Sequence, residues 1–187
     1  MKYEISQETL KSEFVSQVEK RSHQSVKSCY QCGKCSAGCP ICFAMDYTPN
    51  QIIRMIQIGI RDEVLSSKTI WLCASCETCS TRCPREVDLA AVMDALRRMA
   101  QEEKVKFKEK DVPLFNRIFL ATIRRYGRLY EAGLIGSYNL KSGHFFKDIL
   151  MSPKMFRKGK MNLLPKKTKN IKEIKKMFLK AKKIEEK

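Results

Sequence analysis

The stretch CYQCGKCSAGCP, residues 29–40, places four cysteines at spacings of three, three and four residues and ends in a proline. The same spacing returns in CASCETCSTRCP, residues 73–84. Three cysteines in successive C-x2-C steps, followed by a fourth cysteine and a proline, are typical of [4Fe–4S] ligation. Structural zinc sites instead favour two separated C-x2-C pairs that close one tetrahedron. The repeated pattern therefore predicts two [4Fe–4S] clusters, with zinc or disulfides as the alternatives.

The fourth cysteine of each run is expected to cross to the other cluster. In bacterial two-cluster ferredoxins, the fourth cysteine of each such run ligates the other cluster. Applied here, this rule gives the first cluster Cys29, Cys32, Cys35 and Cys83, and the second cluster Cys73, Cys76, Cys79 and Cys39. Pro40 and Pro84 then redirect the chain after each crossing ligand. The ninth cysteine, Cys42, is expected to be a small buried residue beside a cluster, with a competing ligand or a reactive thiol as the alternatives.

The two cysteine loops differ in their glycines. Gly33 and Gly38 ease the tight turns of the first loop, whereas the second loop contains no glycine. We therefore expect the second loop either to avoid positive φ or to tolerate some backbone strain.

Charge is distributed unevenly along the 187 residues, whose formal net charge is +17. Residues 1–100 hold 13 Lys and Arg against 11 Asp and Glu, whereas residues 101–187 hold 24 against 9. A basic tail of this kind contacts an acidic protein partner, nucleic acid or a membrane surface. The polar start MKYEISQETLKSEF has no signal-peptide core, and no apolar run reaches membrane-span length. The chain is thus expected to be cytoplasmic, where clustered cysteines usually bind metal.

Apolar periodicity and capping signals predict helices at five places. The predicted segments are residues 6–21, residues 48–58 with a Thr48–Gln51 capping box, residues 88–104 with Asp88 as N-cap, residues 113–130, and residues 170–187. The stretch with Gly133, Gly136 and Gly143 is expected to be irregular. The change in character near residue 110 predicts two regions, a cysteine-bearing domain over 1–110 and a basic, partly helical extension over 111–187.

The segment between the two cysteine motifs indicates which kind of two-cluster ferredoxin domain this chain resembles. It contains a capped helix and no alternating strand pattern, whereas common small ferredoxins join their motifs through strand-containing segments. With TIWLCASCETC, it resembles the α-helical ferredoxin domain found in the iron–sulfur subunits of succinate dehydrogenase and anaerobic glycerol-3-phosphate dehydrogenase and in heterodisulfide reductases. The segments SCYQCGKCSAGCP, DYTPNQIIRMIQIG, RRYGRLYEAGL and RKGKMNLLP resemble the iron–sulfur C-subunit family of methanogen CoB–CoM heterodisulfide reductases.

The resemblance implies a mainly α fold and a place in an oxidoreductase complex. It implies that electrons pass singly from a flavin-containing subunit, served by a hydrogenase or formate dehydrogenase module, to the catalytic subunit that reduces CoM-S-S-CoB in methanogenesis. No nucleotide-binding, nucleophile or H-E-x-x-H motif accompanies the cysteines, so no substrate site is expected. The alternatives are an iron–sulfur subunit of another anaerobic dehydrogenase or sulfur-metabolism complex, and a nucleic-acid-binding protein, which the apolar residues of the tail argue against.

Overall fold

A computed structural model describes residues 13–143 and 164–185. Within these ranges the chain forms ten α-helices and two short 3-10 helices, and it contains no strand. The mainly α fold predicted from the sequence is confirmed. The described residues divide into two compact units, with the boundary between Glu109 and Lys110. The predicted start of the first helix, at residues 6–12, and most of RKGKMNLLP lie outside the described residues.

Seven α-helices make up the described part of the first unit. They are α1 (Phe14–Ser22), α2 (Lys34–Ala37), α3 (Pro49–Gln57), α4 (Arg61–Ser66), α5 (Thr69–Leu72), α6 (Thr78–Thr81) and α7 (Leu89–Glu102). The 3-10 helices are Val26–Ser28, before the first cysteine, and Cys42–Ala44, after the fourth. Each cysteine loop thus contains a very short helix, α2 or α6, and these two helices pack against each other.

Helix α3 begins and ends where its sequence signals predict. Thr48 heads a capping box, and its backbone N–H donates to Gln51 Oε1 at 2.8 Å. At the other end Gly59 has a φ of 82°, and the Ile60 N–H donates to a carbonyl of the last turn at 2.9 Å. This left-handed ending satisfies carbonyls that would otherwise lack partners. The chain therefore turns sharply after α3.

Helix α7 is the central element of the first unit. Its predicted N-cap, Asp88, accepts hydrogen bonds from the N–H groups of Ala90 and Ala91 at 2.9 and 3.2 Å. Its predicted apolar face is buried, as are Phe14 and Val18 of α1, which packs against it. The buried residues of that face are Leu89, Val92, Met93, Leu96 and Met99. This packing fixes the helix that follows the second cysteine loop.

The described part of the second unit contains α8 (Asp111–Tyr126), α9 (Glu131–Ser142) and α10 (Ile171–Glu185). Both α9 and α10 pack against α8. The prediction of an irregular stretch around the glycines is wrong, because Gly133 and Gly136 lie inside α9 and only Gly143 ends it, with a φ of 77°. A Cβ at Gly133 would lie 2.3 Å from the Tyr130 ring, so this glycine lets the ring lie against the helix. Close packing overrides the low helix propensity of glycine here.

Within the described ranges, every helix is too short or too polar to cross a lipid bilayer.

Candidate iron–sulfur site

A cavity beside the second loop is lined by cysteines of both motifs. Cys73, Cys76 and Cys79 come from the second motif, and Cys39 comes from the first. The remaining wall is largely apolar and includes Ile41, Met45, Leu89 and Met93. The structure therefore brings together all four residues predicted to hold the second cluster.

At the first loop, the crossing cysteine of the second motif lies close by. The pKa of Tyr30 is raised, first by desolvation and then by its interactions with Cys32 and Cys83. Burial raises the pKa of the Cys35 thiol, and the nearby Cys29 adds to that effect. Cys83 thus lies beside the first loop, as Cys39 lies beside the second.

The two loops share unusual backbone angles on both sides of their middle cysteine. The residue before it has a φ of 64° at Gln31 and 48° at Ser75. The residue after it has a φ of 75° at Gly33 and 59° at Glu77. The second loop therefore does not avoid positive φ but adopts it without glycine, at a cost of about 1 kcal/mol or more per residue.

A side chain from a following helix holds the first cysteine carbonyl of each loop. Gln57 Nε2, at the end of α3, donates to the Cys29 carbonyl at 2.9 Å. Arg97, in α7, donates from its guanidinium to the Cys73 carbonyl and also pairs with Asp94 at 2.8 Å. The two contacts reach the same position in each loop, but one anchor is neutral and the other is cationic.

A serine after the third cysteine of each loop provides a second anchor. The Ser36 hydroxyl accepts a hydrogen bond from the Asn50 N–H at 3.0 Å, in the first turn of α3. The Ser80 hydroxyl donates to Asp88 Oδ1, the N-cap of α7, at 2.7 Å. Each loop is thereby fixed at two points to the helix that follows it.

The cysteine sulfurs have distinct polar surroundings. The Val87 N–H donates to Cys83 Sγ at 3.3 Å. The pKa of Cys76 is lowered, chiefly by its hydrogen bond with the Thr78 hydroxyl, whereas burial raises the pKa of Cys79. Hydrogen bonds of this kind stabilise the thiolate, which is the form that binds metal.

The cysteines have no disulfide partners, and the described residues contain no cluster of ligands around a single ion. All nine cysteines lie in the described residues, and none forms a disulfide. No group of three or more His, Cys, Asp or Glu residues within the described ranges is placed to hold one metal ion. A four-iron cube needs no such convergence, because each cysteine binds its own iron. Cys42, expected to be buried, is only half-buried, in the 3-10 helix after the first loop.

Sequence reasoning missed the residues that hold the loops in place. Gln57 and Arg97 carry no local signal, because their partners lie 28 and 24 residues away along the chain. The same is true of Asp46, whose carboxylate accepts hydrogen bonds from the N–H groups of Lys68 and Thr69 at 2.9 and 3.0 Å. Asp46 therefore connects the end of the first loop to the start of α5, which leads into the second.

Comparison with known proteins agrees with this geometry. Residues 25–87, which include all nine cysteines, match the family described as 4Fe-4S dicluster domain. The chain is 29% identical over 140 residues to the C subunit of the H(2):CoB-CoM heterodisulfide,ferredoxin reductase of Methanothermobacter marburgensis, covering 75% of this chain and 64% of the relative. It is 40% identical over 93 residues to the iron-sulfur C subunit of the CoB–CoM heterodisulfide reductase of Methanopyrus kandleri, covering 49% and 48%.

A third relative, the C2 subunit of the H(2)/formate:CoB-CoM heterodisulfide,ferredoxin reductase of Methanococcus maripaludis, is 42% identical over 79 residues. That match covers 42% of each chain. This chain thus spans between about two-fifths and somewhat under two-thirds of the length of these relatives. The predicted resemblance is confirmed: the chain is similar to the iron–sulfur C subunits of heterodisulfide reductases, and residues 25–87 match the 4Fe-4S dicluster domain.

Proposed function

We propose that the chain is an electron-transfer subunit that holds two [4Fe–4S] clusters in a heterodisulfide reductase complex. The observation that carries the proposal is the cavity in which Cys39 of the first motif meets three cysteines of the second. The first cluster is assigned to Cys29, Cys32, Cys35 and Cys83, and the second to Cys73, Cys76, Cys79 and Cys39. When bound, such clusters take up and release single electrons.

The roles of the surrounding residues follow from their contacts. Because cysteines supply four ligands to each cluster, neither iron–sulfur site leaves a position open for substrate. Apolar side chains line one part of the cavity at the second site, whereas Cys76 is exposed. Gln57 and Arg97 hold the carbonyls of Cys29 and Cys73, which fixes each loop relative to the helix behind it. Rigid placement suits electron transfer, which requires little movement of the ligands.

The partners in this proposal are the flavin-containing subunit and the catalytic subunit of the complex. Reduction of CoM-S-S-CoB to two thiols consumes two electrons and two protons, and this chain would pass the electrons on one at a time. A hydrogenase or formate dehydrogenase module would supply them, in the cytoplasm. The names of the relatives, which include H(2) and formate as donors, support this assignment. The alternative is the equivalent subunit of another anaerobic respiratory or sulfur-metabolism complex.

We assign the docking of those two subunits to the basic extension, residues 111–187. Large apolar side chains remain exposed on its described helices although the segment is strongly charged, and Phe115, Leu120 and Leu140 are 42%, 51% and 67% exposed. Exposed apolar residues among cations suit a protein interface, where apolar contact gives affinity and charge guides encounter. A chain ending at Lys110 is expected to keep its iron but to lose co-purification with the flavin-containing and catalytic subunits.

The central experiment is anaerobic isolation from native cells. The full chain is expected to contain about eight irons and eight acid-labile sulfides, and to co-purify with a flavoprotein and a heterodisulfide-reducing protein. Stoichiometric zinc without sulfide contradicts the cluster assignment. Two clusters with a different set of co-purifying proteins contradict only the choice of complex.

A further inference from the structure

The outer edge of the first cysteine loop carries an exposed tyrosine and three cations. Tyr30 is 60% exposed, and the neighbouring Cys32 is exposed as well. The cations Lys34, Arg82 and Arg85 are all exposed. We call these four side chains, Tyr30 and the three cations, the basic rim.

Contacts gather the basic rim around one loop although its members come from both motifs. Arg82 lies against the first loop, since a Cβ at Gly38 would be 2.7 Å from its side chain. Arg85 interacts electrostatically with the Tyr30 hydroxyl, as do Cys32 and Cys83. Lys34 begins α2 within the same loop. The rim therefore borders the cysteines assigned to the first cluster.

None of the rim cations forms an ion pair with an acidic residue of the part of the chain that the structure describes. Five ion pairs occur there, and they involve other cations: Arg21, Lys27, Arg61, Arg97 and Lys108. The corresponding edge of the second loop differs, because Glu77 follows its middle cysteine and Arg97 is paired with Asp94. Unpaired cations are thus concentrated at one of two otherwise similar loops.

We propose that the basic rim is a further docking contact, in addition to those assigned to the extension, and that it binds an acidic surface of a redox partner protein. This inference rests on the proposed function, because it places the partner next to the first cluster. Charge complementarity identifies the partner: exposed, unpaired Arg and Lys attract carboxylates and accelerate encounter. Tyrosine and arginine are also enriched at protein interfaces, and Tyr30 adds an exposed aromatic surface to the rim.

Nucleic acid is the competing ligand for a basic surface, and the surroundings of the rim argue against it. Glu86 is exposed directly after Arg85, and residues 1–100 are nearly neutral, with 13 basic against 11 acidic residues. A phosphate-binding surface requires a longer cationic track. A local cationic rim around an aromatic side chain fits a small acidic protein surface better.

The test uses the full holoprotein and an acidic bacterial two-cluster ferredoxin as the probe, with binding measured by calorimetry at several salt concentrations. The rim variant is K34E/R82E/R85E, and the matched control is K20E/K68E/K106E, which reverses three exposed lysines elsewhere in the first unit. The milder variant K34Q/R82Q/R85Q serves if charge reversal disturbs assembly. Each variant is first checked for iron and sulfide content.

The rim variant is expected to weaken binding about tenfold and to flatten its salt dependence, while the control changes binding less than about twofold. Equal weakening by both variants means that only net charge matters and overturns the proposal. Binding to a short duplex DNA that is lost in the rim variant, without an effect on ferredoxin binding, reassigns the rim to nucleic acid. If the rim variant binds ferredoxin as tightly as the wild type and both proteins hold two clusters, the docking proposal is wrong but the proposed function stands. If the wild-type protein holds no iron–sulfur cluster, the proposed function itself is wrong.

Discussion

The two cysteine loops follow nearly the same backbone path with different side chains. Both place positive φ on either side of the middle cysteine, at Gln31 and Gly33 in one loop and at Ser75 and Glu77 in the other. Both attach their first cysteine carbonyl to a later helix. Cysteine spacing and an anchored first carbonyl are thus the features that accompany this loop conformation in both copies. Glycine makes that conformation easier to adopt but is not required for it.

The difference between the loops lies in charge and in the strength of the anchors. The first loop has a neutral anchor, Gln57, and an exposed edge rich in unpaired cations. The second has a cationic anchor, Arg97, whose charge is balanced by Asp94. The first loop therefore has an outer edge suited to an acidic partner. At the second loop, the cationic anchor, Arg97, is paired with Asp94 of the same chain.

The largest expected effect comes from replacing either of the two crossing ligands, Cys83 or Cys39, by serine. Because Cys83 lies beside the first loop, Cys83→Ser should remove or alter the first cluster and leave the second intact. Cys39→Ser should do the reverse, since Cys39 lines the cavity of the second loop. Each variant is expected to lose up to about four irons, or to form a degraded cluster with a distinct EPR spectrum.

Cys42→Ser is the matched control for both variants, because Cys42 is half-buried and is not among the proposed ligands. It should retain both clusters. If Cys83→Ser instead alters the cluster bound by Cys73, Cys76 and Cys79, each loop binds its own cluster and the crossing assignment is incorrect.

The second prediction compares the two anchors. Arg97→Ala removes hydrogen bonds to the Cys73 carbonyl and to the Ser75 hydroxyl, as well as the pair with Asp94. It is expected to destabilise the holoprotein by about 2–4 kcal/mol, and Gln57→Ala by about 1–2 kcal/mol, since hydrogen bonds from a charged donor are the stronger ones. Anaerobic thermal unfolding measures both values.

Arg97→Lys is the control, because it keeps the charge but cannot reproduce the several directed contacts of the guanidinium. It should recover only part of the loss. Full recovery by lysine means that charge alone supports the second loop, and equal losses in the two alanine variants mean that the anchors are equivalent.

Local sequence signals predicted much of this molecule, and the exceptions have a common physical cause. The capping box at Thr48, the N-cap at Asp88 and the buried face of α7 depend on residues a few positions apart, and each is confirmed. Helix α9 was missed because packing of the Tyr130 ring over Gly133 outweighs the low propensity of glycine.

For the candidate site, the cysteine spacing grouped the four cysteines that line one cavity at the second loop, and the role of all eight as cluster ligands stays a prediction. The spacing did not predict the anchors, because Gln57 and Arg97 reach carbonyls more than twenty residues away. Such a contact forms only once the helix is placed by tertiary packing. Its acceptor is a backbone carbonyl, a group that every residue carries, so the sequence does not mark the partner. No residue pattern therefore distinguishes such an anchor from an ordinary surface residue.

The third prediction concerns the connection between the loops through Asp46. Burial by itself raises the pKa of this carboxyl, but hydrogen bonds from Lys68 and Thr69 outweigh it, so the pKa is lowered. Asp46→Asn keeps the shape but weakens these bonds and should cost about 1–2 kcal/mol. Because the pKa of Asp46 is lower in the folded state than the value of 3.8 that applies to the unfolded chain, the carboxylate stabilises the fold at any pH above 3.8. This stability is lost only as the pH falls through the pKa of the folded state.

The stability difference between the wild type and Asp46→Asn should therefore stay constant from about pH 8 to pH 5, where the carboxylate remains ionised in both states. Thermal unfolding of the holoprotein across this range measures it. A difference that already shrinks between pH 7 and pH 5 would show that the pKa of Asp46 is raised, contrary to the hydrogen-bond pattern.

The smallest expected effect tests the positive φ that both loops share. Gly33→Ala meets no atom within 4 Å of the new Cβ, so its cost is purely conformational and should be about 1 kcal/mol at a φ of 75°. Glu77→Gly should act in the opposite direction, because glycine adopts the φ of 59° without steric cost, although its greater freedom in the unfolded chain offsets part of the gain. A net stabilisation of about 0.5 kcal/mol is expected, with Glu77→Ala as the control that removes the carboxylate but keeps the Cβ. If alanine stabilises as much as glycine, the effect comes from charge next to Cys76 and not from the backbone, and the two loops differ less in strain than their φ angles indicate.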